Sequence, residues 1–182
     1  MCKMIFIATH EVLKEIPFNE DNPNLYLEKI EGEFLPVADK FSNPNIYFIG
    51  TSQGCSCDFI IEKDSSILSI NEEEIEKEVK NRKSAFDRFR KFTGNFENHK
   101  IREIGKAKSL IEKERDFKKQ TLQLISLIEE NATKQHPVEL YCCWAGDYKS
   151  PIDEIKKVNL NEVDLKKFVD FELNEKVIYY RD

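Results

Sequence analysis

The sequence predicts a single α+β domain, residues 1–182, with an antiparallel or mixed sheet of about five to seven strands. Strand-like apolar segments lie near both ends of the chain, and a long stretch of helical periodicity lies between them. The 182 residues, of which 40% are hydrophobic, are enough to build one core. We therefore expect a long helical hairpin, about residues 70–134, to be inserted between the fourth and fifth strands.

The first four strands are predicted from short apolar runs. Each run is rich in isoleucine, leucine, phenylalanine or tyrosine and is bounded by polar residues, proline or glycine, which is typical of strands. The four runs are Met4–Ala8, Leu25–Ile30, Asn45–Gly50 and Asp58–Glu62. Small residues connect the third run to the fourth over Thr51–Cys57, so the fourth strand is expected to return beside the third.

Two helices are predicted in the middle of the chain. Ser69 and Glu72 have the capping-box spacing that begins a helix, and Gly94 lies where this helix is expected to end. Apolar residues at helical spacing indicate a second helix within Lys100–Asn131, before Pro137. The two helices together form the predicted hairpin.

The remaining strands are predicted beyond the hairpin. Val138–Trp144 is the most strand-like segment of the chain and is the fifth predicted strand. Near the C-terminus, Phe168–Leu173 and Lys176–Tyr180 are expected to form a hairpin or an extended sheet edge around Asn174.

The cysteines indicate a reducing compartment. Their odd number and low density argue against a secreted scaffold held by disulfides. No export signal is visible, and no apolar stretch approaches the roughly 20 residues that span a bilayer. We therefore expect a cytoplasmic protein with free thiols and no membrane partner. The five residues are Cys2, Cys55, Cys57, Cys142 and Cys143.

The predicted topology brings four of these cysteines to one edge of the sheet. A helical hairpin returns the chain to the side from which it left, so the fifth strand should run antiparallel to the fourth. The end of the fifth strand then lies beside the beginning of the fourth. This places Cys142 and Cys143 at the same edge as Cys55 and Cys57.

The direction of the first strand decides which further residue joins this edge. His10 and Cys2 lie at opposite ends of that strand, more than ~20 Å apart at roughly 3.3 Å per residue. An antiparallel meander of the first three strands brings His10 to the cysteines, and the reverse orientation brings Cys2. We expect the meander, and therefore His10.

Such a cluster has the chemistry of a zinc site. Thiolate and imidazole are the ligands that zinc binds tetrahedrally. Four of them are supplied by Cys55, Cys57, His10 and either Cys142 or Cys143, of which Cys143 is preferred. The spacing departs from the paired Cys-x-x-Cys of common zinc motifs, so other interpretations stay open.

A second interpretation makes Cys55 a catalytic thiolate, with His10 or His136 as its base. In a small-molecule site at the same edge, the loop Gly50–Gly54 would contribute backbone amides, including that of Gly54, and Trp144 and Asp147 would line the pocket. A third interpretation assigns the cysteines to packing, because free cysteine behaves as a small apolar residue. In that case Asp147 simply makes a turn.

The charge distribution supports an alternative function. Residues 77–119 contain fifteen lysines and arginines against seven acidic residues, although the whole chain has a net charge of -6. A basic helical hairpin could contact an acidic partner or nucleic acid as a non-enzymatic interaction module. The pI near 5.3 disfavours nucleic acid, and the hairpin is expected to pack on its own acidic sheet or on a second copy of the chain.

The sequence therefore leaves two functions open. The first is a cysteine-lined small-molecule or metal site at one sheet edge, and the second is the interaction module. No motif is specific enough to name a reaction, so the sequence does not decide whether the protein is an enzyme.

Overall fold

The computed structural model describes residues 2–19, 24–51, 54–57, 59, 116–165 and 172–182. The chain divides into two compact units, and the described residues apart from Asp116 belong to the unit formed by Met1–Lys63 and Phe117–Asp182. The single domain over residues 1–182 stays a prediction. No described helix is both long enough and apolar enough to cross a membrane.

The described unit is built on a six-stranded mixed sheet. The strands lie in the order β2-β3-β1-β4-β6-β5. Neighbouring strands are antiparallel except β5 and β6, which are parallel. The strands are β1 (Lys3–Thr9), β2 (Tyr26–Lys29), β3 (Asn45–Gly50), β4 (Val138–Trp144), β5 (Glu154–Asn159) and β6 (Glu175–Tyr180).

The sheet is covered on both faces. Along β1, Ile5 and Ile7 point to one face, and Phe6 points to the other. The first face packs against the helix α1, residues 116–131, through Leu124 and Ile128. The second face is covered by the 3-10 helix Gly32–Lys40 and by part of the segment after β4. Because β1 and β4 are buried on both faces, they read as continuous apolar runs in the sequence.

An aromatic cluster fills the second face. Phe34 of the 3-10 helix stacks on Phe48 of β3, with ring centroids 5.4 Å apart. It also meets Phe6 and Tyr148 edge to face, at centroid distances of 5.6 and 5.3 Å. These contacts attach a short helix of weak intrinsic stability to the sheet through buried aromatic area.

The sequence predicted an α+β protein with an antiparallel or mixed sheet of about five to seven strands, and the described residues form a mixed sheet of six strands together with helices. Strands β1, β2, β3 and β4 lie where four of the predicted strands were expected. The fourth predicted strand, Asp58–Glu62, falls outside the described residues except for Phe59, which lies in a bend.

The described residues do not show the predicted helical hairpin of about residues 70–134. The described helix, 116–131, lies directly before β4, and residues 70–115 lie outside the described part of the chain. The predicted C-terminal hairpin or extended edge is corrected for Lys176–Tyr180, which belongs to β6 and pairs with β4 on one side and β5 on the other. Of its other predicted strand, Phe168–Leu173, only residues 172 and 173 are described. Strand β5 was missed because its Glu-Ile-Lys-Lys-Val-Asn sequence is charged and largely exposed at the sheet edge.

A buried ion pair connects β4 and β6 to the end of the 3-10 helix. The Lys176 ammonium lies 3.3 Å from a carboxylate oxygen of Glu139, and both side chains are buried. The ammonium also donates to the carbonyl of Lys40 at 2.8 Å, and the Ser42 amide donates to the Glu139 carboxylate at 2.8 Å. Both charges are thus compensated by neighbouring groups, as burial requires.

We expect Lys176→Met to lower the free energy of unfolding by about 3 kcal/mol, because it leaves the Glu139 carboxylate buried without its cation. Urea denaturation measures this loss. Lys134→Met is the matched control, since Lys134 pairs with Asp182 through side chains that are 74% and 49% exposed. Lys134→Met should lower the free energy of unfolding by less than about 1 kcal/mol. Equal losses in the two variants would contradict the importance of the buried pair.

Candidate metal centre

The C-terminal ends of β3 and β4 and the N-terminal end of β1 lie together on the side of the sheet where these strands end or begin. Both β3 and β4 run antiparallel to β1, so their C-terminal ends lie beside the N-terminal end of β1. The Ala145 amide, just after β4, donates to the Cys2 carbonyl at 2.9 Å. We call this region the thiol edge and define it by Cys2, residues 54–57 and Ala145.

Ser56 fixes residues 54–57 to the sheet. Its side chain is fully buried, and its hydroxyl donates to the Ile49 carbonyl at 2.5 Å and accepts from the Ile5 amide at 2.9 Å. Its own amide donates to the Lys3 carbonyl at 3.2 Å. Ser56 therefore joins the end of β3 to the beginning of β1, and the flanking cysteines lie toward the surface.

The turn before Ser56 is held by its own backbone. The amide and the hydroxyl of Thr51 both donate to the Cys55 carbonyl, at 2.8 and 2.9 Å. The Gly54 amide donates to the Thr51 carbonyl at 2.9 Å, so it is already used within the turn. Gly54 has a φ of 77°, a conformation that favours glycine. This backbone conformation accounts for the glycine at position 54, whereas the sequence suggested that the Gly54 amide binds a ligand.

Three cysteine sulfurs come together at the thiol edge. The Sγ atoms of Cys2, Cys55 and Cys57 all lie within 4.8 Å of one another. The Lys3 amide donates to the Cys57 sulfur at 3.1 Å, which brings together groups 54 residues apart in sequence. All five cysteines of the chain are free thiols.

The surroundings of Cys55 keep its thiol protonated. Burial raises the pKa of Cys55 to about 11, and the neighbouring Cys57 and Cys2 groups add to the increase. A backbone hydrogen bond from Cys57 opposes this increase only in part. At neutral pH, then, Cys55 lacks the lowered pKa of an activated cysteine nucleophile.

The structure does not bring His10 to the thiols. The antiparallel pairing of β1 with β3 sends Cys2 to the thiol edge and His10 to the opposite end of β1. There His10 stacks on His136, with ring centroids 3.8 Å apart. Neither histidine is therefore placed to act as a base for Cys55, and the predicted meander of parallel first and third strands is corrected.

Cys142 and Cys143 lie near the same sheet edge but inside the two cores. Cys142 faces the α1 side, and Cys143 faces the aromatic cluster. Burial raises the pKa of Cys142 to about 11 and that of Cys143 to about 12. Cys143, proposed from the sequence as a zinc ligand, is not part of the group of three sulfurs.

Trp144 is the last residue of β4, and Asp147 lies in the turn that follows it. The Asp147 amide donates to the Trp144 carbonyl at 3.0 Å, and the Ser150 hydroxyl donates to the Asp147 carboxylate. Gly146, with a φ of 87°, makes the turn possible. These hydrogen bonds account for Asp147 as a turn residue. Ligand binding by Trp144 and Asp147 stays a prediction.

Sequence reasoning missed the role of Cys2 and of Ser56. Cys2 was recognised as the alternative to His10, but the sequence did not favour the strand direction that selects it. Ser56 carried one weak signal, since a small polar residue stands between two cysteines. The basic stretch 77–119 lies outside the described residues except for 116–119.

Comparison with protein-family models, with curated proteins and with solved structures gives no match for this chain. The geometry of the thiol edge is therefore the basis for the functional proposal.

We expect the thiols of the reduced, metal-free protein to alkylate in a fixed order near pH 7.5. Exposed Cys2 and Cys57 should react first with iodoacetamide, and Cys55 should react at least about tenfold more slowly because little of it is thiolate. Buried Cys142 and Cys143 should react only after unfolding. Peptide mass mapping over time gives the five rates. Fastest modification at Cys55 would support the nucleophile interpretation instead.

Proposed function

We propose that this protein binds a thiophilic metal ion, zinc or copper(I), at the thiol edge through Cys2, Cys55 and Cys57. The proposal is carried by one observation, the approach of three sulfur atoms to within 4.8 Å of one another. Thiolate ligands select soft cations of this class over hard cations such as magnesium and calcium.

The sulfur positions are close to those that a metal requires. With Zn–S bonds of about 2.3 Å, tetrahedral geometry sets neighbouring sulfurs about 3.8 Å apart. A contraction of the order of 1 Å from the observed upper limit is within reach of side-chain rotation. Cys2 and Cys57 are exposed, so their side chains have room to make this adjustment.

The backbone around the site supplies a hydrogen bond to one of the three sulfurs. The Lys3 amide donates to the Cys57 sulfur at 3.1 Å. A bound cation replaces the thiol protons and offsets the burial and the neighbouring Cys57 and Cys2 groups that raise the pKa of Cys55. Metal binding should therefore release protons and strengthen as the pH rises.

Metal binding is better supported than cysteine catalysis. A catalytic Cys55 needs a lowered pKa or a nearby base, whereas its pKa is raised and both His10 and His136 lie at the other end of β1. Three sulfur ligands complete a trigonal site, or they leave one position of a tetrahedral site open to solvent or a small molecule. The interaction module stays the alternative.

We expect the reduced protein to bind one cadmium ion per chain, with the sulfur-to-metal absorption band of a thiolate complex. Cadmium serves as a spectroscopic probe for soft cations. Cys2→Ser, Cys55→Ser and Cys57→Ser should each lower the affinity by at least about tenfold, measured by competition with a chromophoric chelator.

The matched control is Cys143→Ala, which also removes one thiol but outside the group of three. It should retain the affinity and the absorption band. Urea denaturation of each metal-free variant separates loss of binding from loss of folding. No cadmium binding by the folded native protein, or equal losses in Cys143→Ala and Cys55→Ser, would overturn the proposal.

A further inference from the structure

Tyr26, on the edge strand β2, extends across β3 to the turn that carries Cys55. Its hydroxyl donates to the Gly54 carbonyl at 3.2 Å. Gly54 immediately precedes Cys55, and the two residues lie within the turn held by Thr51. The phenol therefore joins a rigid strand to the backbone next to one of the three sulfurs.

The position of the Tyr26 ring depends on glycine at its cross-strand partner. Tyr26 pairs with Gly50 in the β2–β3 register, and its ring lies directly over Gly50. A Cβ atom at Gly50 would lie 2.0 Å from a ring carbon and 2.6 Å from the phenol oxygen, distances that side chains do not reach. Glycine at the end of β3 is thus what allows the hydroxyl to reach the turn.

Aromatic neighbours fix the ring in this orientation. Phe48 and Phe18 contact it with centroid distances of 5.5 and 5.4 Å, both near edge to face. The residue is buried, with 7% of its surface exposed. Because these contacts already restrict the Tyr26 ring, the hydrogen bond to the Gly54 carbonyl costs little additional side-chain entropy. The hydrogen bond therefore restrains the turn effectively.

We propose that Tyr26 is a positioning residue of the metal site, which holds the Gly54 carbonyl and thereby presents the Cys55 sulfur to Cys2 and Cys57. This inference rests on the proposed function. Removing a group that orients a metal ligand without touching the metal commonly lowers the metal affinity by about 10–100-fold. Without the phenol, part of the binding free energy is spent on ordering the turn.

Tyr26→Phe tests this proposal because it removes the hydroxyl and keeps the ring. We expect about a tenfold loss of cadmium affinity, with the thiolate absorption band retained at saturation. Tyr47→Phe is the matched control, since its hydroxyl bonds the Leu13 amide and carbonyl, at 2.9 and 3.3 Å, away from the thiols. It should bind cadmium like the native protein.

A double-variant cycle separates positioning from general stability. If Tyr26 acts through Cys55, Tyr26→Phe should produce no further loss of cadmium affinity in a Cys55→Ser background. Equal cadmium affinity of Tyr26→Phe and the native protein would overturn this inference alone. So would equal losses in Tyr26→Phe and Tyr47→Phe, or full additivity with Cys55→Ser. Failure of the native protein to bind cadmium would overturn the proposed function, and this inference with it.

Discussion

The antiparallel pairing of β1 with both of its neighbours determines the rest of this structure. β1 lies between β3 and β4, and its apolar residues are buried on both faces. Because β3 and β4 both run opposite to β1, they both end where β1 begins. The residues before β1 and the segments after β3 and β4 therefore meet at one edge of the sheet. Cys2, Cys55 and Cys57 come together through this pairing.

The contact between the end of β3 and the beginning of β1 is completed by a single hydroxyl group. Ser56 gives a hydrogen-bonding partner to the Ile5 amide of β1 and to the Ile49 carbonyl of β3. Buried polar groups stabilise a fold when each has a hydrogen-bonding partner. At this edge the same group sets the backbone position from which two cysteine side chains reach the surface. The local requirement of the sheet and the geometry of the thiols therefore have the same physical origin.

The apolar core of the sheet was predictable from the sequence, whereas strand direction was not. Met4–Ala8, Asn45–Gly50 and Val138–Trp144 are short apolar runs whose burial follows from their composition. Strand β5 carries charges at an edge and pairs parallel with β6, so neither burial nor a short turn marks it in the sequence. A run of alternating or continuous apolar residues has the same pattern in both directions. For this reason the choice between His10 and Cys2 depended on topology, and it was made wrongly.

The buried pair of Glu139 and Lys176 has a consequence for folding accuracy. Lys176 lies opposite Tyr141 on the aromatic side of the sheet, while its neighbour Val177 lies opposite Leu140 on the α1 side. Sliding β6 by one residue along β4 would exchange these faces and set an ammonium group among the aliphatic side chains of Leu124 and Ile128. The carboxylate of Glu139 would then remain in the aromatic layer without its cation. Misaligned pairings of the last strand are thus penalised twice, so the charged pair selects one alignment among several that would satisfy the backbone equally well.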